Sequence, residues 1–401
     1  MSGPLEGVKV VEMGVWVAGP AAGGILADWG ADVVKIEPPG IGDPGRLFQK
    51  MLGGDLPFNP PFEMDNRSKR SIAIDLAKPT GRDIALSMVD GADVFLSNVR
   101  QAGLTRLGFD PKSLLARNDR LIYAAVTGFG LKGPDADRAA YDIAAFWARS
   151  GIANALTQPG SHPPFQRGGM GDHNAGLAGA AAISAALFSR EKTGKGQLVE
   201  TSLLREGIYT LSFDIATTLR LGHEIGVASR KTMGNPTINN YEDKDGRWFW
   251  IVGLEAERHW PPLCRAVGHE EWIDDPKFCG PVERFQNAGE LIANLDEIFA
   301  SKSIKEWRPL FDAEEDFFWS PVQNITEVIA DPQVLANGGL VEVPDGETTS
   351  TFPATPCDFH GTPWAPRWMA PELGEHTDAI LAELGHGEVE VKALREEGAV
   401  A

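Results

Sequence analysis

The sequence predicts an α/β protein built on a mostly parallel, doubly wound sheet. Three observations carry this: a β-α-β opening, an alternation of short apolar strands with helical stretches through the first half of the chain, and a glycine-rich loop running into a long helix of small residues.

Residues 8–13 read as a buried strand, 14–20 as a loop, the stretch through Trp29 as a helix and 32–37 as a second strand, which is the opening of a nucleotide-binding fold. The glycines at 14, 19, 23 and 24 do not form GxGxxG, so a dinucleotide fingerprint is absent and an NAD protein is disfavoured. Glu37 could bind a ribose hydroxyl, although a strand that ends before Pro38, Pro39 and Gly40 needs no ligand to explain it. The densest positive charge follows, in Asn66-Arg67-Ser68-Lys69-Arg70-Ser71, and reads equally as an anion contact or a solvated turn. Further strands are expected at 72–76, 92–97 and 121–126. Ligands of such sheets collect at the carboxyl ends of strands, which here carry Asn98, Arg100 and Arg106.

Tyr141-Asp142 precedes a helical stretch at 143–150. KTGKGQ, 192–197, is a basic glycine turn into a strand at 198–202, followed by a helix over about 203–221. Composition shifts over 223–235, where a domain boundary is expected. Residues 240–252, with Asp245-Gly246 at their centre, read as a hairpin, and helices rich in Trp and Phe follow through about 328 as a smaller α+β domain. A tail with Pro353, Pro356, Pro363, Pro366 and Pro371 is expected to lie extended over another surface before a helix at about 376–384.

The chain is organised around residues 166–190, QRGGMGDHNAGLAGAAAISAALFSR. Gly168, Gly169 and Gly171 offer too little side chain to pack, which points to unusual dihedrals or to something approaching the backbone. The helix after them, mostly Ala and Gly with Leu177, Ile183, Leu187 and Phe188, suits close burial. Asp172 stands near its start, where free N–H groups and the helix dipole favour a carboxylate, so it is expected to be ionised and available as a nucleophile or base. Asp is also a preferred N-cap, which by itself is the more ordinary explanation.

With 401 residues the chain can bury a large core, and two domains are expected. Lys and Arg number 37 against 56 Asp and Glu, a formal charge of −19, so neither a nucleic acid nor an anionic membrane surface is an expected partner. Cys264, Cys279 and Cys357 are far apart and odd in number, which fits reduced thiols in a cytoplasmic protein. The start of the chain shows no export signal and no stretch suits a bilayer span. The eight histidines form no HExxH or similar pair, so no metal is expected.

Taken together, VKVVEMGVWVAGP, GADVVKIEPPGIGDPGR, NRSKRSIAIDL, GGMGDHNAG, TGKGQLVETSLL, DGRWFWIVG and PELGEHT resemble the class III CoA-transferase family, which includes formyl-CoA and carnitine-type transferases and α-methylacyl-CoA racemases. The motifs follow the family's order over nearly the whole chain. The resemblance implies a Rossmann-like large domain built from both chain ends, with 1–225 as its first part, 226–328 as an inserted small α+β domain and 329–401 returning to the large one. It also implies an interlocked homodimer. Coenzyme A enters as acyl-CoA, with a free carboxylic acid as second substrate.

In the family's transferases the Asp of the GD motif, here Asp172, attacks the thioester, and the loop around Gly169 and Gly171 has the composition to aim N–H groups at the oxyanion. Carried over by motif, Val17 and Ala18 lie beside the cofactor, Asp75, Leu76 and Lys78 near the adenine end, and Asn98, Val99, Arg100 and Arg106 in a basic pocket. Ala139, Ala140 and Tyr141 match the strip beside the pantetheine and thioester, with Asp142 a candidate on the substrate side; some basic positions of the family's CoA pocket are Ala77 and Ala139 here, and Lys78 and Arg138 next door could substitute.

Departures narrow the expectation. Where formyl-CoA transferases have a polyglycine loop, this chain has Met233-Gly234-Asn235-Pro236, leaving Gly234 as the candidate. Their AGP-loop Gln is Val17 here, flanked by Trp16, which favours a larger and more apolar acyl group than formate or oxalate. Racemases use a His-Asp pair where this chain has Tyr141-Asp142, and a phenol that ionises near pH 10 is a poor base at neutral pH. The expected activity is therefore CoA transfer through an aspartyl intermediate. The alternatives are racemase-type proton transfer and a catalytically silent acyl-CoA-binding homologue.

Overall fold

The computed structural model describes residues 3–401 apart from 52, 55 and 228. Met1 and Ser2, at the start read for an export signal, and Ala228, inside the boundary stretch, lie outside the described residues. The chain forms two compact units: Met1–Ala155 with Pro164–Ile225 and Ala336–Ala401, and Leu156–Pro163 with Gly226–Leu335.

The larger unit is a mixed α/β fold on a six-stranded sheet. Its strands are β1 (Lys9–Met13), β2 (Asp32–Glu37), β3 (Arg70–Ala73), β4 (Val94–Ser97), β5 (Ile122–Thr127) and β6 (Gln197–Ser202), in the order β3-β2-β1-β4-β5-β6. Every pairing is parallel. The period of two along each strand builds two cores. Val10, Val33, Val94, Leu96 and Ile122 face one side with Leu26, Ala175 and Ile183, while Val11, Val34, Ile36, Phe95 and Tyr123 face the other with Ile84, Val89 and Leu381. Burial on both faces is why these strands read as near-continuous apolar runs. The order reverses between β1 and β4, which makes the carboxyl ends of those two strands the switch point of the fold.

Two expectations need correction here. The strand expected at 72–76 ends at Ala73, level with Glu37 where β2 itself stops. Beyond it Ile74 bridges to Val400 and the Asp75 amide donates to the Ala399 carbonyl at 2.9 Å. The basic run is neither a solvated turn nor an anion contact. Arg67 is buried against Asp28 at 2.7 Å and Lys69 against Glu12 at 2.7 Å.

The smaller unit has an antiparallel sheet, β7 (Ile238–Glu242), β8 (Trp248–Val252) and β9 (Trp319–Pro321), in the order β7-β8-β9. The Asp-Gly turn joins β7 to β8. Asp243 accepts from the amides of Asp245 and Arg247, both at 2.8 Å, and Gly246 takes φ +77°. Phe249, Phe299, Trp307 and Phe311 pack edge and face around that sheet.

The returning segment carries more structure than its prolines predict. β10 (Leu340–Asp345) and β11 (Thr348–Pro353) form an antiparallel hairpin, and Glu388–Glu397 is an additional helix. Between them the chain is pinned beside β3: the Ser68 amide donates to the Trp368 carbonyl at 2.9 Å and the Trp368 indole N–H donates to the Lys69 carbonyl at 2.7 Å.

Candidate active site

Asp172 lies in the first turn of the helix Met170–Thr193. It is not the N-cap, the ordinary role for an Asp at a helix start: that position is Gly169, at φ +79°, a conformation that favours glycine. No side chain caps this helix start, and its first N–H groups have no partner within the helix. The helix runs against the helix Ala18–Asp28 through small residues. A Cβ on Gly176 would stand 2.7 Å from the Ala21 methyl, and one on Gly179 would stand 3.4 Å from that of Ala22. Gly171 is needed for a different contact, since a Cβ there would fall 2.5 Å from Phe146. Phe146 is buried within the π-helical turn Ile143–Ala148 that begins immediately after Asp142, so this contact sets Asp172 and Asp142 beside each other.

The electrostatics correct the expectation of a readily ionised Asp172. Burial, joined by the like charges of Asp142 and Asp65, outweighs the pull of His173 and pushes its carboxyl up to about 7. Asp142 is itself buried and accepts from the Gln166 amide at 2.9 Å. His173 stands 3.1 Å from the buried Asp65, and this hydrogen bond raises the imidazole above its ordinary value. Its ring lies over Gly169, 3.1 Å from where a Cβ would be, while Val17 comes to 3.9 Å on another side. Gln166 and Asp65 are neighbours the sequence did not single out. Asp65 is 108 positions from His173 and carries no local signal of the pairing.

The other predicted residues divide between the two units. In the larger one, Trp16 is half-buried at φ +63°, its ring edge-on to Tyr141 at 6.0 Å between centroids, with Tyr141 itself exposed. Ala18 is buried at the start of the first helix. Asn98 has its amide engaged in both directions with the Val15 backbone, at 2.8 and 2.7 Å, and Val99 donates to the Ser97 hydroxyl at 3.1 Å. Arg100 and Arg106 are exposed at either end of the helix Gln101–Leu107 just beyond β4, and neither pairs with a carboxylate among the described residues. Asp75 accepts from the Ala77 amide at 2.9 Å, Leu76 packs on the core beneath β3, and the Lys78 ammonium donates to the Glu397 carbonyl. Arg138 pairs with Asp135 at 3.7 Å, and Ala140 seats its methyl against Gly128. Gly234 belongs to the smaller unit, where it packs against the Phe285 ring. No cluster of three His, Cys, Asp or Glu among the described residues is placed to hold a metal, and no helix among them is long and apolar enough to cross a membrane.

Known proteins share this architecture. A Brucella suis protein solved as a CAIB/BAIF family member superposes with a TM-score of 0.82 at 30% identity, covering 96% of this chain and 100% of that one. The (R)-2-hydroxy-4-methylpentanoate CoA-transferase of Clostridioides difficile is 31% identical over 396 residues, 98% of each chain. The cinnamoyl-CoA:phenyllactate CoA-transferase of Clostridium sporogenes is 30% identical over 399 residues, 98% of this chain and 96% of its own. The sequence profile described as CoA-transferase family III matches residues 5–377. With a Rossmann-ordered sheet, a glycine-started helix carrying Asp172 and relatives that align end to end, the chain is an enzyme of the CoA-transferase class and belongs to CoA-transferase family III.

Proposed function

We propose that the protein moves CoA from an acyl-CoA to a free carboxylic acid with Asp172 as covalent nucleophile. The observation that carries this reading is a half-buried carboxylate, raised toward neutrality, in the first turn of a helix whose cap is a bare left-handed glycine. A desolvated carboxylate of raised basicity is a stronger nucleophile than one in water. N–H groups at a helix start suit the oxyanion of each tetrahedral intermediate, with Gly169 and Gly171 keeping side chains out of its way.

The steps balance with no external reactant. An Asp172 oxygen bonds to the thioester carbonyl carbon, the C–S bond breaks, and CoA leaves as thiolate from an acyl–aspartyl anhydride. The thiolate then attacks the Asp172 carbonyl carbon, releasing the donor acid as carboxylate and leaving an aspartyl–CoA thioester. The acceptor carboxylate reverses these two steps, so the product acyl-CoA departs and the Asp172 carboxylate is restored. Arg100 and Arg106, exposed and, among the described residues, unpaired with carboxylates, are suited to the CoA phosphates, with Val17, Ala18, Asp75, Leu76, Lys78, Val99, Arg138 and Ala140 in the surrounding segments.

We further propose an interlocked homodimer, supported by the uncovered apolar helix Ser212–Leu221, which has no buried residue in a single chain.

The test is mass spectrometry of the full-length protein with an acyl-CoA and a panel of carboxylic acids in D₂O. New acyl-CoA species and a CoA adduct on the chain are expected. Asp172→Ala loses the adduct and about 10³-fold or more of the turnover. Deuterium in the donor without new thioesters would replace this reading with racemisation. Binding without turnover would leave an acyl-CoA carrier.

A further inference from the structure

At the switch point the two consecutive peptide groups that join Gly14, Val15 and Trp16 are held by side chains. The Lys35 ammonium donates to the Gly14 carbonyl at 2.8 Å. The Asn98 carboxamide receives the Val15 amide at 2.8 Å and donates to the Val15 carbonyl at 2.7 Å. Asp43 accepts from the Trp16 amide at 2.8 Å. The anchors are themselves fixed. Asp43 is buried, pairs with Lys35 at 2.9 Å, accepts from Gly45 at 2.8 Å and donates its own amide to Glu37 at 2.9 Å. Asn98 is wedged against the first helix, where a Cβ on Gly19 would lie 2.9 Å from it.

What this grip imposes is unusual. Trp16 takes φ +63°, a region that bulky residues seldom occupy unless their surroundings dictate it. The result points the indole at two aromatic neighbours, edge-on to Tyr141 at 6.0 Å and tilted on Phe48 at 5.5 Å. Tyr141 is followed in the chain by Asp142, whose charge acts on Asp172, and Val17 follows Trp16 directly against Gly169. A strained loop at a candidate site, satisfied so completely, is a positioned element.

We infer that Asn98 and Asp43 are positioning residues which hold Trp16 in the left-handed turn, so that its indole and the Tyr141 ring form an aromatic wall for the side chain of a CoA-linked acyl group. The class selected is aryl and branched aliphatic acyl groups over acetyl. This rests on the transferase reading; where the resemblance implies a CoA contact for Asn98, its amide is taken up by the Val15 backbone and it acts through Trp16.

The test is calorimetric binding of free CoA, acetyl-CoA, 3-methylbutanoyl-CoA and 3-phenylpropanoyl-CoA to the full-length protein carrying Asp172→Asn, which removes turnover. The parent is expected to prefer 3-phenylpropanoyl-CoA to acetyl-CoA by about tenfold or more. Trp16→Gly, in which glycine takes the turn without strain, and Asn98→Ala each collapse that preference and leave free CoA within about twofold. Their combination loses nothing more than Trp16→Gly alone, because one acts through the other. If Asn98→Ala fails to fold by circular dichroism, Asn98→Asp, which keeps an acceptor for Val15 and loses the donor, and Asp43→Asn are read in its place.

A uniform loss across all four ligands in the Asn98 variant would make it a CoA contact and overturn this inference alone. An undiminished preference in Trp16→Gly would do the same. No binding of any acyl-CoA by the parent would overturn the transferase reading and the inference with it.

Discussion

On the proposed mechanism Asp172 must be a carboxylate to attack the thioester, and its surroundings push its carboxyl up to about 7. The kcat/KM profile is therefore expected to rise with pH, pass half its maximum near 7 and level off above it, and Asp142→Asn, by removing the like charge, should move the acid limb to lower pH. A limb that stays near the ordinary carboxylate range in the parent would count against Asp172 as the titrating group. The same shift has a consequence for stability. The folded-state value lies above the unfolded 3.8, so between those two pH values the native chain holds a proton that the unfolded chain has lost. Stability is then lost as pH rises through the window, and the cost is complete above about 7. Asp172→Asn removes it, so urea unfolding should show a gain of roughly 1–3 kcal/mol at pH 8 that shrinks toward zero as pH falls toward 4. Of this cluster, Asp172, the glycines around it and, each for its own reason, Trp16 and Tyr141 were singled out by the sequence; that the two rings meet was not. Its charge state was not, because Asp142 and Asp65 reach it only through the fold.

At the scale of elements, the parallel strands were readable because burial on both faces writes continuous apolar runs, and the Asp245-Gly246 hairpin because its turn demands φ > 0. The same Asp-Gly signal at Asp345-Gly346 marks the hairpin of β10 and β11, yet the prolines around it pull the reading toward extended chain. The basic run was ambiguous for a physical reason: whether a lysine faces water depends on partners supplied by other strands. Lys69 is wholly buried, held by Glu12, the Pro20 carbonyl at 2.9 Å and Asn66 at 3.0 Å. Burial, which disfavours the charged form, lowers it to about 8 despite the Glu12 carboxylate. Without Lys69 the buried Glu12 and Asp43 carboxylates share the Lys35 ammonium alone, so Lys69→Met is expected to lower unfolding free energy by about 3 kcal/mol or more. Free-CoA affinity of the folded fraction should stay the same. A selective loss of CoA affinity with stability intact would return the run to the cofactor site. Gly171→Ala belongs to this scale too. A Cβ 2.5 Å from Phe146 must displace the π-helical turn that follows Asp142, at about 1–3 kcal/mol, and should lower kcat together with Tm.

For the whole molecule, the sharpest mismatch is between the core of one chain and its surface. Tyr209 is 77% exposed, Phe213 and Leu219 are each 78% exposed, and all three lie on the consecutive helices Leu203–Thr210 and Ser212–Leu221. Helices this short gain most of their stability from packing an apolar face, and Ser212–Leu221 has no fully buried residue within the chain, Ile215 being only half-buried. Contiguous exposed apolar area of this kind marks a surface that a partner covers. At a net charge of −19 copies repel one another, so the proposed dimer is expected to tighten as salt screens that charge. Light scattering coupled to size exclusion is expected to give twice the mass of one chain. Because the surroundings of the two helices depend on that contact, Phe213→Asp should shift the mass toward one chain and lower Tm in step, with the shift growing on dilution. A parent that runs as a monomer at micromolar concentration would sink the dimer. Dimeric mass retained by Phe213→Asp with Tm unchanged would move the interface away from these helices.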